Sequence, residues 1–505
     1  MSISIHRLPP ASLIGLSGAI LITLGSFGGG ATRNRGGVLE LAGLDFLSYG
    51  HGAGISNTVF FFGMVLLVLG WALLGRQTVF SDLRIGKGGR FRTVRRSMWL
   101  WVLPFIAAAP MLSRDVYSYL MQGAMVRDGF DPYSQGAAVN PGPMLLEVSH
   151  DWRNTTTPYG PLHLWIGEVV TRIVGDNVTL GVILYKLISL AGFAAIVWSI
   201  PLIARHLGGN PSTALWLGVA NPVMILHLVG GMHNESIMVG MVSVGLLLSL
   251  RRKFIAGIAL IAVAVSLKAT AAIALPFVVW MMVNHFVPDA GEKLRRFGVF
   301  LLTGFLGALE TIVVVALVTW ASGSSWGWLT EISGNSKVIN PLAFPSLFAG
   351  LISPYFRLFD EDFSYNTILE VLRNLSLVLM LAGLVISWWL FRRSDKHAVQ
   401  GITAAYSVAF VFNSVTLPWY YASVISLLGT YRPPLWLLKF SSAASMVIAL
   451  SFSGSGNHQL YNVPWIVCLV VASWVTVEFI FAEVKTSLTT REPEQSETAL
   501  ADPRP

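Results

Sequence analysis

The chain has 505 residues, 54% hydrophobic and only 12% charged, more apolar surface than a soluble domain of this length can hide, so it reads as a polytopic membrane protein. A net charge of +8 does not point to nucleic acid, because Lys and Arg sit in short segments beside apolar runs, where anionic lipid headgroups are the expected counter-charge. The one cysteine, Cys468, lies inside an apolar run, which excludes an intramolecular disulfide and a thiolate metal cluster.

In chain order, spans are expected near 13–30, 56–75, 97–112, 178–204, 212–229, 235–250, 254–269, 271–287, 297–320, 367–391, 398–413, 419–431, 434–452 and 461–482, about fourteen in all. The first run, from Ala11 to about Gly29, lacks a convincing small-x-small cleavage site and reads as a retained span. Two pairs, 254–269/271–287 and 398–413/419–431, can each be drawn instead as one long tilted helix. Residues 1–485 form one transmembrane domain on this reading, and the polar, Pro-containing stretch 486–505 is a disordered cytoplasmic tail.

The basic segment from Arg76 to Ser97, "RRK" at 251–253, "EKLRRF" at 292–297, "FRRSDK" at 391–396 and Lys439 all fall on one side of this topology. That side is expected to be cytoplasmic, with both termini. The opposite side then receives a large segment, 113–177, and three small stretches: Gly230 to Asn234, the turn around Lys268, and Asn413 to Trp419. Within the large segment, "PLHLWIGEVVTRIV" (Pro161 to Val174) is apolar at helical spacing but interrupted by His163, Glu168 and Arg172, as in a helix lying at the interface. No internal repeat is visible.

The polar residues that need explaining gather on that outer side. In "SRDVYSYLMQGAMVRDGFDPY" (Ser113 to Tyr133), Asp115 directly follows a short span, where a carboxylate can deprotonate a hydroxyl while one reactant stays in lipid. An N-cap or an ion pair with Arg114 is the plain alternative. Tyr117, Tyr119 and Tyr133 suit either an aromatic belt or sugar stacking. In "GGMHNESIMVG" (Gly230 to Gly240), His233, Asn234 and Glu235 interrupt apolar spans, a costly placement that points to function. Glu235 also stands where it can cap the next helix, and the H-x-E spacing lacks a third metal ligand. Lys268, flanked by apolar runs in "VAVSLKATAAIALP", suits a phosphate; snorkelling to headgroups is its alternative. "FNSVTLPWYYAS" (Phe412 to Ser423) adds Asn413, Trp419, Tyr420 and Tyr421, again belt or sugar platform. No P-loop or dinucleotide glycine pattern accompanies them, so a transferase working here draws on a donor already carried in lipid.

"SRDVYSYLMQGAMVRDGFDPY", "TPYGPLHLWIG" (Thr157 to Gly167), "ALWLGVANPVMILHLVGGMHNE" (Ala214 to Glu235) and "LPWYYA" (Leu417 to Ala422) together resemble the polyprenol-phosphate-mannose-dependent alpha-(1→6)-mannosyltransferases of actinobacteria. The resemblance runs from about Ala11 to at least Tyr421 and is stronger to the type called B than to type A. It implies an all-α GT-C glycosyltransferase fold in the plasma membrane, with 113–177 as a large extracytoplasmic catalytic loop carrying juxtamembrane helices. Two extra spans, 13–30 and 56–75, precede the simplest GT-C arrangement. The implied donor is polyprenyl-phosphate-mannose, and the implied acceptor is mannosylated phosphatidylinositol or lipomannan, whose alpha-1,6 mannan backbone would be extended.

On that footing the expected reaction is an inverting displacement. Asp115 is the base for the acceptor 6-hydroxyl. Lys268 is the first choice to stabilise the leaving phosphate, with Arg114 and His233 behind it. Tyr133, Tyr159, Trp419 and Tyr420 are expected at sugar or polyprenyl, and His163, Asn234 and Glu235 as hydrogen-bonding or orienting groups. No cofactor is expected, and a divalent metal is not indicated. The alternative of a different class is a transporter or flippase of a lipid-linked sugar. Polar groups at one face rather than the midplane, and the lack of repeat symmetry, weigh against it.

Overall fold

The computed structural model describes residues 9–80, 87–334 and 339–482; the expected tail lies outside them. Among the described residues the chain is helical, apart from one isolated bridge between Phe452 and His458. Among the described residues seven helices are long and apolar enough to cross a membrane: Pro10–Gly29, Gly50–Val79, Val178–His206, Ala269–Phe286, Lys293–Ala321, Tyr365–Leu390 and Val463–Ile480. An eighth results if Pro211–Gly218 and Pro222–Gly230, bent by 53° at their break, form one span.

This differs from the fourteen or so expected spans, and the difference has a physical cause. Several apolar runs are enclosed by protein rather than lipid, so the bilayer does not set their length. The expected span 97–112 is the end of helix Lys87–Phe105, which begins inside the basic segment. The expected span 212–229 breaks where the Asn221 side chain accepts from the Val223 N–H ahead of the short helix Pro222–Met224, and its core residues Trp216, Leu217 and Met224 are fully buried. The expected span 419–431 is a 3-10 turn, Pro418–Tyr421, and a seven-residue helix, Ala422–Leu428. Both doubtful pairs are two elements each: Phe254–Val265 ends before Lys268, and Asp395–Phe412 ends before Asn413. Helix Phe344–Phe356 occupies a stretch where no span was expected.

Helices Pro10–Gly29 and Gly50–Leu74, where spans 13–30 and 56–75 were expected, pair through small residues. A Cβ on Gly18 would lie 2.5 Å from the Leu67 nitrogen, so the backbones meet at a distance only glycine allows. The hairpin is tied to the broken span by a reciprocal clasp. Trp71 Nε1 donates to the Trp216 carbonyl at 3.0 Å, Trp216 Nε1 donates to the Trp71 carbonyl at 2.9 Å, and the indoles stack at 4.5 Å. The segment expected at the interface forms helix Pro161–Val174, which buries His163, Leu164, Gly167, Val170 and Thr171 and leaves Val169 and Ile173 outward. It packs on helix Asp115–Arg127 at Gly123, and this contact places Asp115 and His163 at one end of the bundle.

Candidate active site

Asp115 opens its helix, and its own N–H donates to Ser113 Oγ at 3.0 Å. Its carboxylate caps nothing and does not pair with Arg114. Oδ2 instead lies 3.3 Å from His233 Nδ1 and accepts from the Tyr119 hydroxyl at 3.5 Å. Burial pushes the Asp115 carboxyl upward, but His233, Ser113 and the charge of Lys268 outweigh it and hold the group below its ordinary value of 3.8. The carboxylate is thus ionised, the form a general base requires.

Arg114 is oriented elsewhere. Its Nη2 pairs with Glu147 Oε2 at 3.0 Å, Nε donates to the Glu147 carbonyl, and Nη1 donates to the Thr32 carbonyl at 2.6 Å. The expected role beside a leaving phosphate therefore does not fit: the guanidinium ties the 113–177 segment to the loop after the first helix. Nothing local in the sequence distinguishes Glu147, which is buried and also pairs with Arg33.

His233 and Trp419 come together from segments far apart in sequence. The imidazole stacks on the indole at 3.5 Å with 15° between planes, and Met232 before it adopts φ 56°, a strained left-handed turn that aims the ring. Two residues on, Glu235 begins helix Glu235–Leu250 without a capping bond and pairs with Lys268. Lys268 is consequently not the lone cation its apolar flanks suggest; it is a neutralised buried pair. Its ammonium also sits 3.9 Å from the centroid of the Tyr420 ring and 5.5 Å from that of Tyr159.

His163 joins the group through hydrogen bonds. Its Nε2 lies 3.0 Å from Gln122 Oε1 and its Nδ1 lies 3.4 Å from Asn234 Nδ2, the pattern of a neutral ring carrying its proton on Nε2. Burial, then the charge of Lys268, push its pKa down to about 3. Tyr159 reaches the site because Gly160 and Leu162 donate backbone bonds to the carbonyls of Leu267 and Ser266 at 3.0 and 2.9 Å. A Cβ on Gly160 would stand 2.2 Å from the Ser266 oxygen, which explains the glycine in "YGP". Tyr133 is not brought in: it packs against Gly327, with its N–H on Asp131.

A cavity of about 880 Å³ opens from Tyr159, Lys268 and Tyr420 along helix Tyr365–Leu390. Near the site its wall is polar, with Asn366, Glu370, Arg373 and Asn374; farther along the same helix it is apolar, with Leu377, Met380 and Leu384. Sequence reading missed these polar residues. Their signal was present, a charged pair at i and i+3 within the first turns of an apolar span. Among the described residues no group of three or more His, Cys, Asp or Glu is arranged to hold a metal ion.

Residues 12–284 match the family model described as "Alpha-(1->6)-mannopyranosyltransferase, N-terminal domain", and residues 346–482 match "MptB C-terminal domain". The second match extends the resemblance through the last spans. Over 482 residues the chain is 59% identical to alpha-(1->6)-mannopyranosyltransferase A of Corynebacterium glutamicum, covering 94% of this chain and 98% of that protein. It is 37% identical to the protein of that name from Mycobacterium tuberculosis, covering 90% and 86% of the two chains. To alpha-(1->6)-mannopyranosyltransferase B of C. glutamicum it is 29% identical, covering 88% and 77%. Whole-chain identity is thus greater to these two A-named relatives than to this B-named one, while the C-terminal part matches the model described for B.

Proposed function

Because the chain belongs to the alpha-(1->6)-mannopyranosyltransferase family, we propose that it transfers mannose from polyprenyl-phosphate-mannose to the 6-hydroxyl of a lipid-linked mannan acceptor, with inversion. The observation that carries this reading is an ionised carboxylate, Asp115, within electrostatic reach of the Lys268–Glu235 pair, whose lysine lines a cavity with both polar and apolar walls. Such a cavity fits a sugar phosphate continued by an isoprenoid chain.

In the reaction, Asp115 removes the proton from the acceptor 6-hydroxyl as that oxygen attacks C1 of the β-mannosyl phosphate from the opposite face. The C1–oxygen bond to phosphate breaks, polyprenyl phosphate leaves, and an alpha linkage forms. Lys268, shared between Glu235 and the departing phosphate, stabilises the charge that develops, so no general acid is needed. His233 orients Asp115, Trp419 supports His233, and Tyr159 and Tyr420 offer aromatic faces to the sugar. His163, through Gln122 and Asn234, braces the helix bearing Asp115. The proposed setting is a GT-C architecture in the plasma membrane, with the site extracytoplasmic, both termini cytoplasmic, and the product the backbone of lipomannan and lipoarabinomannan.

Purified protein incubated with polyprenyl-phosphate-mannose and a short alpha-1,6-mannoside should yield a product one hexose heavier. NMR should show its new linkage to be alpha-1,6. Translocation of the donor across proteoliposomes with no new glycosidic bond would instead support the carrier reading.

A further inference from the structure

A second cavity, of about 540 Å³, lies apart from Lys268 and Tyr420. One wall is the face of helix Val178–His206 made by Thr179, Val182, Ile183 and Lys186, spaced i, i+3, i+4 and i+7. The others come from the loop after the first helix, with Arg33, Glu40 and Asp45, and from the unwound stretch Ile106 to Pro110. Lys186 is eight residues into its helix, about 12 Å from the helix start at 1.5 Å per residue.

Lys186 is 3% exposed, and its Nζ donates to the carbonyls of Val229 at 3.2 Å and Gly230 at 3.5 Å. Both acceptors are neutral. They leave one of the lysine's N–H donors unused and supply no counter-ion among the described residues, a costly arrangement for a buried group. Arg33, also on the wall, shares the Glu147 carboxylate with Arg114, two cations on one anion, and bonds Thr179 Oγ1 at 3.0 Å. The inner wall therefore carries the two basic side chains, Lys186 and Arg33. Its rim carries exposed Glu40 and Asp45, and its membrane edge carries exposed Ile106 and Ile183.

We infer that this cavity seats the headgroup of a glycerophospholipid, with the phosphodiester on Lys186, the polar head toward Glu40 and Asp45, and the acyl chains along Ile106 and Ile183. Cation within, carboxylates at the rim and an apolar exit match phosphate, hydroxyl or ammonium donors, and acyl chain in that order. The seat is independent of the proposed reaction. It touches the site through Lys186, whose bonds to Val229 and Gly230 hold the segment leading to His233.

Delipidated full-length protein in detergent is titrated with dioleoylphosphatidylglycerol, dioleoylphosphatidylethanolamine, dioleoylglycerol or inorganic phosphate, and bound species are counted by native mass spectrometry. One phospholipid should be retained about tenfold more tightly than dioleoylglycerol or phosphate. Lys186→Met should abolish that preference. Ile183→Trp, at an exposed position that tolerates a larger side chain, should block retention while leaving the fold intact. Equal retention of dioleoylglycerol would remove the phosphate seat, and equal binding of inorganic phosphate would make this a free-anion site. Wild-type retention by Ile183→Trp would overturn the proposal even if Lys186→Met failed to fold.

Discussion

His233 Nδ1 stands 3.3 Å from Asp115 Oδ2 while the other side of its function is mechanical, the ring lying flat on Trp419. His233→Phe keeps the stack and removes the polar contact. Turnover should fall roughly ten- to hundredfold, with donor affinity little changed, because the base loses its orientation. His233 is among the groups that hold the Asp115 carboxyl low, so its loss raises that pKa and the acid limb of kcat/KM should move to higher pH. An unmoved limb would separate His233 from Asp115.

The Lys268–Glu235 pair predicts non-additivity. Lys268→Met leaves the Glu235 carboxylate, 1% exposed, without its counter-ion and should destabilise by about 3–5 kcal/mol. Lys268→Met with Glu235→Gln should recover much of that stability and none of the transfer, because the phosphate cation is still absent. Recovery of activity in the double variant would remove Lys268 from the chemistry.

His163 links stability to pH. Its folded pKa of about 3 lies below the ordinary 6.5, so between these values the unfolded chain binds a proton that the folded site refuses. Stability is full above about pH 6.5 and is lost as pH falls toward 3, by at most roughly 4–5 kcal/mol. Asp115, lowered from 3.8, adds loss in the same direction only near and below that value. Thermal midpoints of His163→Gln between pH 6.5 and 4.5 should therefore vary less than those of wild type; parallel curves would contradict the buried neutral ring.

Gly160→Ala tests the backbone that delivers Tyr159. With Ser266 O only 2.2 Å from the added Cβ, the strand-like contact must open, at about 1–3 kcal/mol. Reduced thermal stability with turnover lowered further than donor binding is expected. Wild-type behaviour would mean that the Gly160–Ser266 approach is not required.

Asp115, His233, Glu235 and Lys268 were legible in the sequence because charge amid apolar residues is expensive and therefore conspicuous. Their partnerships were not. Lys268 and Glu235 are 33 positions apart, and nothing in either segment shows that a buried salt bridge joins them. Arg114 looked like a neighbour of Asp115 and instead faces Glu147, since adjacent residues at a helix start point in different directions. Tyr133 was grouped with the site by motif proximity, yet its contact is Gly327, nearly two hundred positions on. The helical membrane class followed from hydropathy, whereas the span count did not. A run such as 212–229 is equally apolar whether lipid or protein surrounds it, and its break at Asn221 is a local hydrogen-bonding event.

The most direct measurement compares wild type with Asp115→Asn, incubated with polyprenyl-phosphate-mannose and an alpha-1,6-mannoside and read by mass spectrometry, with donor binding measured in parallel. The carboxamide is nearly isosteric and cannot take the proton. The variant should bind donor as wild type does while transfer falls by about 10²–10⁴-fold. Transfer at the wild-type rate by a folded Asp115→Asn protein would contradict the assignment of Asp115 as the base.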